Sequence, residues 1–263
     1  DMNIVVLIKQ VVAATSAKIN PETGTLVREG TENVLNPFDE YAVEEALRIR
    51  EKHGGKITVL TMGPPQAKEV IRKAVGMGVD EGILITDPKL AGSDTWATAY
   101  VLAAAIRKLE TVNLIITGKQ AVDGDTAQVG PEVASLMDLP MIAWIRKIEE
   151  IRPDFLRAER LMEDGYDVLE TPLPALISVV KEINEPRLES LKGKMRAKKY
   201  EPAVWGVADL PGLDADRLGL KGSPTRVKKT FTPQRQYRGE MIEGDVPRAA
   251  AALAGKIREM HIL

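Results

Sequence analysis

Four short runs of Val, Ile and Leu constrain this chain more than any other feature: Ile4–Ile8, Ile57–Thr61, Gly82–Thr86 and Leu114–Thr117. Each has the length of a strand and is apolar throughout instead of alternating. A strand reads that way when both its faces are buried, as in parallel sheets covered by helices on two sides. Helical patterns lie between the runs. Asn36-Pro37 opens one, with Asn as the expected N-cap and Pro in the first turn, then Phe38, Tyr41, Ala42, Ala46, Leu47 and Ile49. It runs to His53-Gly54-Gly55, where glycine supplies the positive φ that ends a helix. Others cover about 67–77 and 94–109, the latter with a small-residue run at 97–105 suited to close packing on a sheet. Strand and helix in alternation, with short connections, predict an α/β fold with a doubly wound, mostly parallel sheet. Ligands of such sheets bind beyond the carboxyl ends of the strands, near the point where winding reverses. Lys9–Val12, Thr61–Pro65 and Thr117–Pro131 are therefore the places to look.

After Pro140 the pattern changes. Met141–Ile151, Asp154–Met162 and Val168–Val180 read as extra, antiparallel strands, with turns at Arg152-Pro153-Asp154 and Asp164-Gly165. Residues 184–240 are rich in Lys, Arg, Pro and Gly with only fragments of periodicity, and 245–262 return to helix. This divides the chain into a ligand-binding α/β domain at 1–183 and an arm at 184–263. The arm lacks the apolar content to bury itself, and segments of that kind commonly wrap a partner.

Composition removes several function classes. Among 263 residues there is no cysteine, which excludes disulfides, thiolate metal sites and a cysteine nucleophile. With 36 basic and 38 acidic residues, no net charge draws the chain to nucleic acid. No apolar run approaches the ~20 residues of a membrane span, and Met2–Ile8 reads as a strand and not as a leader, so a cytoplasmic chain is expected. The two imidazoles, His53 and His261, fall near predicted helix ends and read as caps. No serine elbow, zinc-protease helix or Walker loop is present, and no residue is assigned as acid, base, nucleophile or metal ligand. Gly76-Met77-Gly78-Val79-Asp80-Glu81-Gly82 has the wrong spacing for a dinucleotide fingerprint, and it precedes a strand instead of following one.

The informative stretch is Gly118, Lys119, Gln120, Ala121, Val122, Asp123, Gly124, Asp125, Thr126, Ala127, Gln128, Val129, Gly130 and Pro131. It follows a predicted strand and leads into a helix at about 127–137. Three glycines permit close approach of main chain to a ligand, and amides at the helix start favour phosphate. An ordinary βα turn accounts for the same residues about as well. Asp123 and Asp125 would repel a diphosphate if they pointed at it, and are better read as caps of nearby amides than as the alternative, magnesium ligands. A second feature is Lys192-Gly193-Lys194-Met195-Arg196-Ala197-Lys198-Lys199. It reads as a solvated charged face or as a contact loop, with Leu191 or Met195 an apolar anchor ringed by charges that steer an acidic partner.

Four stretches together resemble one family, the beta subunit of electron-transfer flavoprotein. They are Val5–Val11, Asn36–Ala46, Gly118–Pro131, and a series through Glu163-Asp164-Gly165, Leu173–Ser178 and Asn184-Glu185-Pro186-Arg187 up to Lys198-Lys199. The resemblance implies a Rossmann-like domain of adenine-nucleotide-hydrolase type that pairs with an alpha subunit carrying the electron-transferring FAD. It implies an adenine nucleotide in this chain, AMP in simple shuttles or a second FAD in electron-bifurcating members. Carried over by motif, the contacts are Leu7, Asn36, Pro37, Phe38, Asp39, Met62 and the Gly118–Val129 loop, with Lys9 or Lys119 as a positive neighbour of the flavin. Leu191 would enter a partner acyl-CoA dehydrogenase, and the arm would embrace the alpha subunit. Val11 is followed by Val12-Ala13-Ala14 where many members have Pro-Asp, which leaves that loop's shape open. Gly124–Gly130 looks like anaerobe-type members, which points to a second FAD and to NADH as donor, with ferredoxin or flavodoxin as low-potential acceptor. The competing readings are a non-bifurcating shuttle with AMP, an adenylating or nucleotide-hydrolysing enzyme, and a lone AMP-binding module. The enzyme needs a Ser/Gly-rich loop after the first strand, which Ile8–Val12 lacks, and the module leaves 184–263 without a role.

Overall fold

The structure, a computed structural model, describes residues 2–13, 33–229 and 239–261, and the backbone alone at Lys18–Ile19 and Leu26–Val27. The chain forms two compact units, Asp1–Lys228 and Lys229–Leu263.

In the first unit the apolar runs become β1 (Ile4–Leu7), β2 (Ile57–Met62), β3 (Glu81–Ile85) and β4 (Leu114–Gly118). They belong to one sheet with β5 (Met141–Ile151), β6 (Phe155–Met162), β7 (Gly165–Pro172), β8 (Ala175–Val179) and β9 (Ala203–Trp205). The nine strands lie in the order β7-β6-β5-β8-β4-β1-β2-β3-β9. All pairs are parallel except β5–β6 and β6–β7. From β1 the chain steps outward to β2 and β3, then crosses back to β4 on the other side of β1. Winding therefore reverses between β1 and β4.

Helices α1 (Pro37–His53) and α2 (Lys68–Met77) cover one face, and α3 (Thr95–Arg107) and α4 (Val129–Met137) the other. Successive residues of β1 enter opposite cores. Ile4 and Val6 pack with Ala42, Leu47 and Ile71, while Val5 and Leu7 pack with Val101, Leu102 and Val133. This is why the runs carry no polar alternation.

Two expectations change. Val168–Val180 is not one strand. It runs in a single direction but steps sideways at Pro172-Leu173-Pro174, leaving β6 as β7 and continuing between β5 and β4 as β8. Two prolines without N–H donors cannot sustain a ladder through that point. Nor is 184–228 an irregular arm, for it lies within the first unit. Leu191–Lys199 is helix α5, with Ser190 Oγ accepting the Gly193 amide at 2.9 Å, and β9 pairs with β3. The polar periodicity of α5 hid it, since few of its side chains face the core. In the second unit α6 (Val246–Glu259) is capped by Asp245, which accepts the Arg248 amide at 3.0 Å. Of the expected arm, 230–238 and 262–263 lie outside the described residues, as does Ala14 after the first strand.

Candidate functional site

A cavity of about 840 Å³ opens at the carboxyl ends of β1, β2, β3 and β4, over the point where winding reverses. The starts of α1, α3 and α4 converge on it, through Asn36 and Asp39, Asp94 and Thr95, and Gln128 to Gly130. Each helix start carries unsatisfied amides and a partial positive charge, so three together favour an anionic ligand group.

The loop after β4 is held from below by Asn36, which is 1% exposed. Asn36 sits at the N-cap position of α1, but its side chain makes no cap bond. Instead Nδ2 donates to the Gln120 carbonyl at 2.9 Å, and Oδ1 accepts the Val122 amide at 3.1 Å. Its own amide donates to the Lys9 carbonyl at 2.9 Å, tying the end of β1 to the same point. Asp39 completes the joint. Its carboxylate accepts the Lys9 amide at 2.7 Å and the Gly118 amide. A Cβ on Gly118 would lie 2.5 Å from Asp39 Oδ1 and 2.6 Å from the Phe38 carbonyl carbon. The close approach that this glycine permits is thus to α1, not directly to a ligand. Beyond Gly124, Asp125 and Ala127 adopt φ of 56° and 54°, a left-handed conformation uncommon for residues other than glycine. Asp123 pairs with Lys9 Nζ at 2.6 Å, and Asp125 accepts from Gln120 Nε2, so the two acids are spent on side chains and not on amide caps.

Of the three carboxylates on the cavity wall, only Asp39 is moved toward its neutral form, while the amides bonded to Asp87 and Asp94 keep both ionised. Burial pushes Asp39 up to about 7, against the pull of Asn36 and the Lys9 and Gly118 amides. At neutral pH the group is partly protonated. Asp94 is consumed in capping. Burial works against its charge, but the Ala97 amide and the amide and hydroxyl of Thr225 outweigh it and hold its pKa below the usual carboxylate range.

Of the residues expected at the site, Leu7, Lys9, Asn36, Asp39, Met62, Gly118, Lys119, Gln120, Ala121, Gly124, Thr126, Ala127, Gln128 and Val129 line the cavity. Pro37, Phe38, Val122, Asp123 and Asp125 do not, although Val122 and Asp123 brace residues that do. Sequence reasoning missed the opposite wall, the stretch from Thr86 through Pro88, Leu90 and Gly92 to Thr95. It follows the third apolar run and carries turn residues, so the rule that pointed to the other strand ends applied to it as well.

Leu191 and Met195 lie elsewhere, on α5, at 79% and 59% exposure. Helix α5 is mounted on α2 so tightly that a Cβ on Gly193 would meet the Gly76 carbonyl oxygen at 2.0 Å. The preceding segment is clamped to α1. Arg187 donates from its amide and from Nε to Glu44 Oε2 at 3.1 and 2.8 Å, and also pairs with Glu51. Burial works against the Glu44 carboxylate, but the bonds from Arg187 and Arg48 prevail and hold its pKa below the ordinary value. Leu188 is also 89% exposed, so three large apolar side chains stand out among the lysines of this surface. Among the described residues no group of three or more His, Asp or Glu is placed to hold a metal ion, and no helix is long and apolar enough to cross a membrane.

The electron transfer flavoprotein domain matches residues 23–210. The electron transfer flavoprotein subunit beta of Thermoanaerobacterium thermosaccharolyticum is 45% identical over 262 residues, covering 100% of both chains. The caffeyl-CoA reductase-Etf complex subunit CarD of Acetobacterium woodii is 43% identical over 264 residues, again covering 100% of each. Protein FixA of Azorhizobium caulinodans is 41% identical, over 97% of this chain and 94% of its own. An α/β sheet wound about a cleft at its switch point, with these likenesses along its length, places the chain in the family of electron transfer flavoprotein beta subunits.

Proposed function

We propose that this chain holds an adenine nucleotide, FAD in preference to AMP, in the cavity at the switch point, and that it works in a heterodimer with an alpha subunit bearing the electron-transferring flavin. The observation that carries the reading is the extent of the cavity. One wall is the Gly118–Gly130 loop with the starts of α1 and α4, suited to phosphate. The other, Thr86–Thr95, is additional, and about 840 Å³ lies toward the upper end of the roughly 300–1,000 Å³ typical of ligand pockets. A mononucleotide leaves much of that space unfilled, while a dinucleotide uses it.

In this reading the residues bind and orient. Asn36 fixes the loop, the first-turn amides of α4 meet phosphate oxygens, and Asp39, partly protonated, lowers repulsion at the joint. The charge of Lys9 is partly offset by Asp123, which leaves Lys119 as the cation nearer to acting on the ligand. Bound FAD would supply the redox chemistry, and no side chain of this chain needs to act as acid, base or nucleophile. Electrons pass to an acyl-CoA dehydrogenase that docks on α5, with Leu191 and Met195 as anchors and the surrounding lysines steering an acidic partner. The likeness to a subunit of a caffeyl-CoA reductase complex supports a CoA-thioester oxidoreductase as that partner. The bifurcating form, with NADH as donor and ferredoxin or flavodoxin as second acceptor, follows if the bound nucleotide is a flavin. Flavin counted per purified heterodimer by absorbance tests the reading. Two flavins are expected. One flavin with AMP means a simple shuttle, and one flavin with no adenine nucleotide in this chain overturns the assignment of the cavity.

A further inference from the structure

Trp144 stands in β5 with φ of 60°, a strained conformation for a bulky side chain. The pairing of β5 with β8 accounts for how it gets there. Ile142 is opposite Ile177 and Ile145 opposite Val179, so Ala143 and Trp144 together face the single residue Ser178. This is a β-bulge, and it is pinned by the Trp144 amide, which donates to Ser178 Oγ at 3.0 Å. Strict alternation would bury 142 and 144 alike and expose 145. The bulge resets the phase, so Ile142 and Ile145 are both buried and Trp144 is turned out at 39% exposure.

The level of the bulge matters. Ser178 pairs with Thr117 and Val179 with Gly118, so the indole emerges where β4 gives way to the cavity loop. The ammonium of Lys119 lies 4.9 Å from the ring centroid, and Lys119 lines the cavity. The contrast with Lys9 decides what this contact does. A carboxylate holds Lys9 and offsets part of its charge toward any third group. An aromatic face holds a cation by its quadrupole and leaves the charge intact for a third group.

We propose that Trp144 is a positioning residue of the nucleotide site, holding the Lys119 ammonium at the cavity rim, where it meets the phosphate of the ligand. The inference rests on the adenine-nucleotide reading, and its test separates the two. The full chain, stripped of nucleotide, is titrated by calorimetry with ADP and with adenosine. Trp144→Leu is expected to weaken ADP about three- to tenfold, the scale of one cation–π contact, and to leave adenosine unchanged. Trp144→Phe retains most of the affinity. Lys119→Met loses ADP binding to at least the extent of Trp144→Leu, and the double variant is no worse than Lys119→Met alone. Unchanged ADP affinity in Trp144→Leu overturns the proposal. So does equal loss of ADP and adenosine, which marks a merely structural tryptophan, and so does additivity with Lys119→Met. Should Trp144→Leu not fold, fluorinated tryptophan in place of all three indoles keeps the shape and weakens the ring's pull. ADP affinity then falls in the wild-type chain but not in Lys119→Met, and an equal response in both overturns the proposal. If the wild-type chain binds neither probe, the nucleotide reading itself fails first.

Discussion

The cavity loop and helix α5 are both polar, glycine-containing segments read as functional from sequence, yet the fold holds them by opposite means. The loop is gripped from inside, by the buried amide of Asn36 and by main-chain donors converging on Asp39. Helix α5 is gripped from outside, by ion pairs of Arg187 with Glu44 and Glu51 and by backbone packing of Gly193 on Gly76. A ligand site needs amides aimed inward, so the groups fixing it must lie beneath it and be satisfied among themselves. Helix α5, on the proposed reading a docking helix, leaves Leu191 and Met195 in solvent and is held on its other side by Gly193, the buried Ala197 and Arg196, which donates to the Val79 carbonyl at 2.9 Å. The consequence is that the two sites are separable: a change that empties one should spare the other.

The largest expected effect is at Asn36. Asn36→Ala leaves the Gln120 carbonyl and Val122 amide without partners, at about 1–3 kcal/mol each. A total loss of about 2–6 kcal/mol in urea unfolding is expected, together with loss of copurifying nucleotide. Electron transfer measured after adding excess nucleotide should recover, because α5 is untouched. If nucleotide content stays at the wild-type level, the loop does not depend on this joint, and the contrast between the two regions loses its inner half.

Next comes Arg187. The Glu44 side chain is 3% exposed, so Arg187→Met strands a buried carboxylate, although Arg48 still reaches it. The guanidinium is itself a third exposed, which limits the cost to about 2 kcal/mol. Nucleotide content should be unchanged while docking to the dehydrogenase weakens. Loss of nucleotide in this variant would show that the two regions are coupled after all. A smaller and more local change is Leu191→Ala, expected to cost up to about 2 kcal/mol in the partner's apparent affinity, as for a truncated anchor. Stability and nucleotide content should stay as in wild type. An unchanged KM for the dehydrogenase makes Leu191 an ordinary surface leucine.

The two regions also differ in how much of them the sequence disclosed. The sheet was legible because β1 to β4 are buried on both faces, and continuous Val/Ile/Leu runs of that length, bounded by turn residues, suit little besides a doubly covered strand. The loop was legible because a strand end plus glycine and a helix start is a local pattern. The Thr86–Thr95 wall was readable by the same rule and was missed because nothing in it is rich in glycine. What no local pattern discloses is the partner of a long-range bond. Asn36 looks like a cap from its neighbours and turns out to serve residues more than eighty positions away. The same holds for α5. Its N-cap at Ser190 is local, but its seat in the fold depends on Gly193 fitting against Gly76 of α2 and on Arg187 finding Glu44 across the fold. The step at Pro172–Pro174 was invisible for a related reason, since a strand that keeps its direction while changing neighbours leaves only its prolines as a trace.

The finest separation of the two regions is by pH, because their carboxylates shift in opposite directions. Asp39 rises from 3.8 to about 7 as burial penalises its charge. Between those values the folded chain keeps a proton that the unfolded chain releases. Its contribution to stability is therefore full below the lower value and is lost as pH rises through the upper one, at no more than about 1.4 kcal/mol per pH unit. Glu44 is held below its ordinary 4.5, chiefly against burial, by Arg187 and Arg48. Its contribution is present above 4.5 and is lost as pH falls through the depressed value. Mild acidification should thus firm the joint beneath the cavity loop, and stronger acid should loosen the mount of α5. Urea unfolding at a series of pH values checks this with Asp39→Asn and Glu44→Gln. From about pH 5 to 8 the wild-type chain should lose stability relative to Asp39→Asn, while its advantage over Glu44→Gln stays level and shrinks only as pH falls below 4.5. A flat difference from Asp39→Asn across the neutral range would mean that Asp39 is ionised throughout. The amides of Lys9 and Gly118 would then outweigh burial, and the cavity would meet its ligand's phosphates with a full negative charge in its floor.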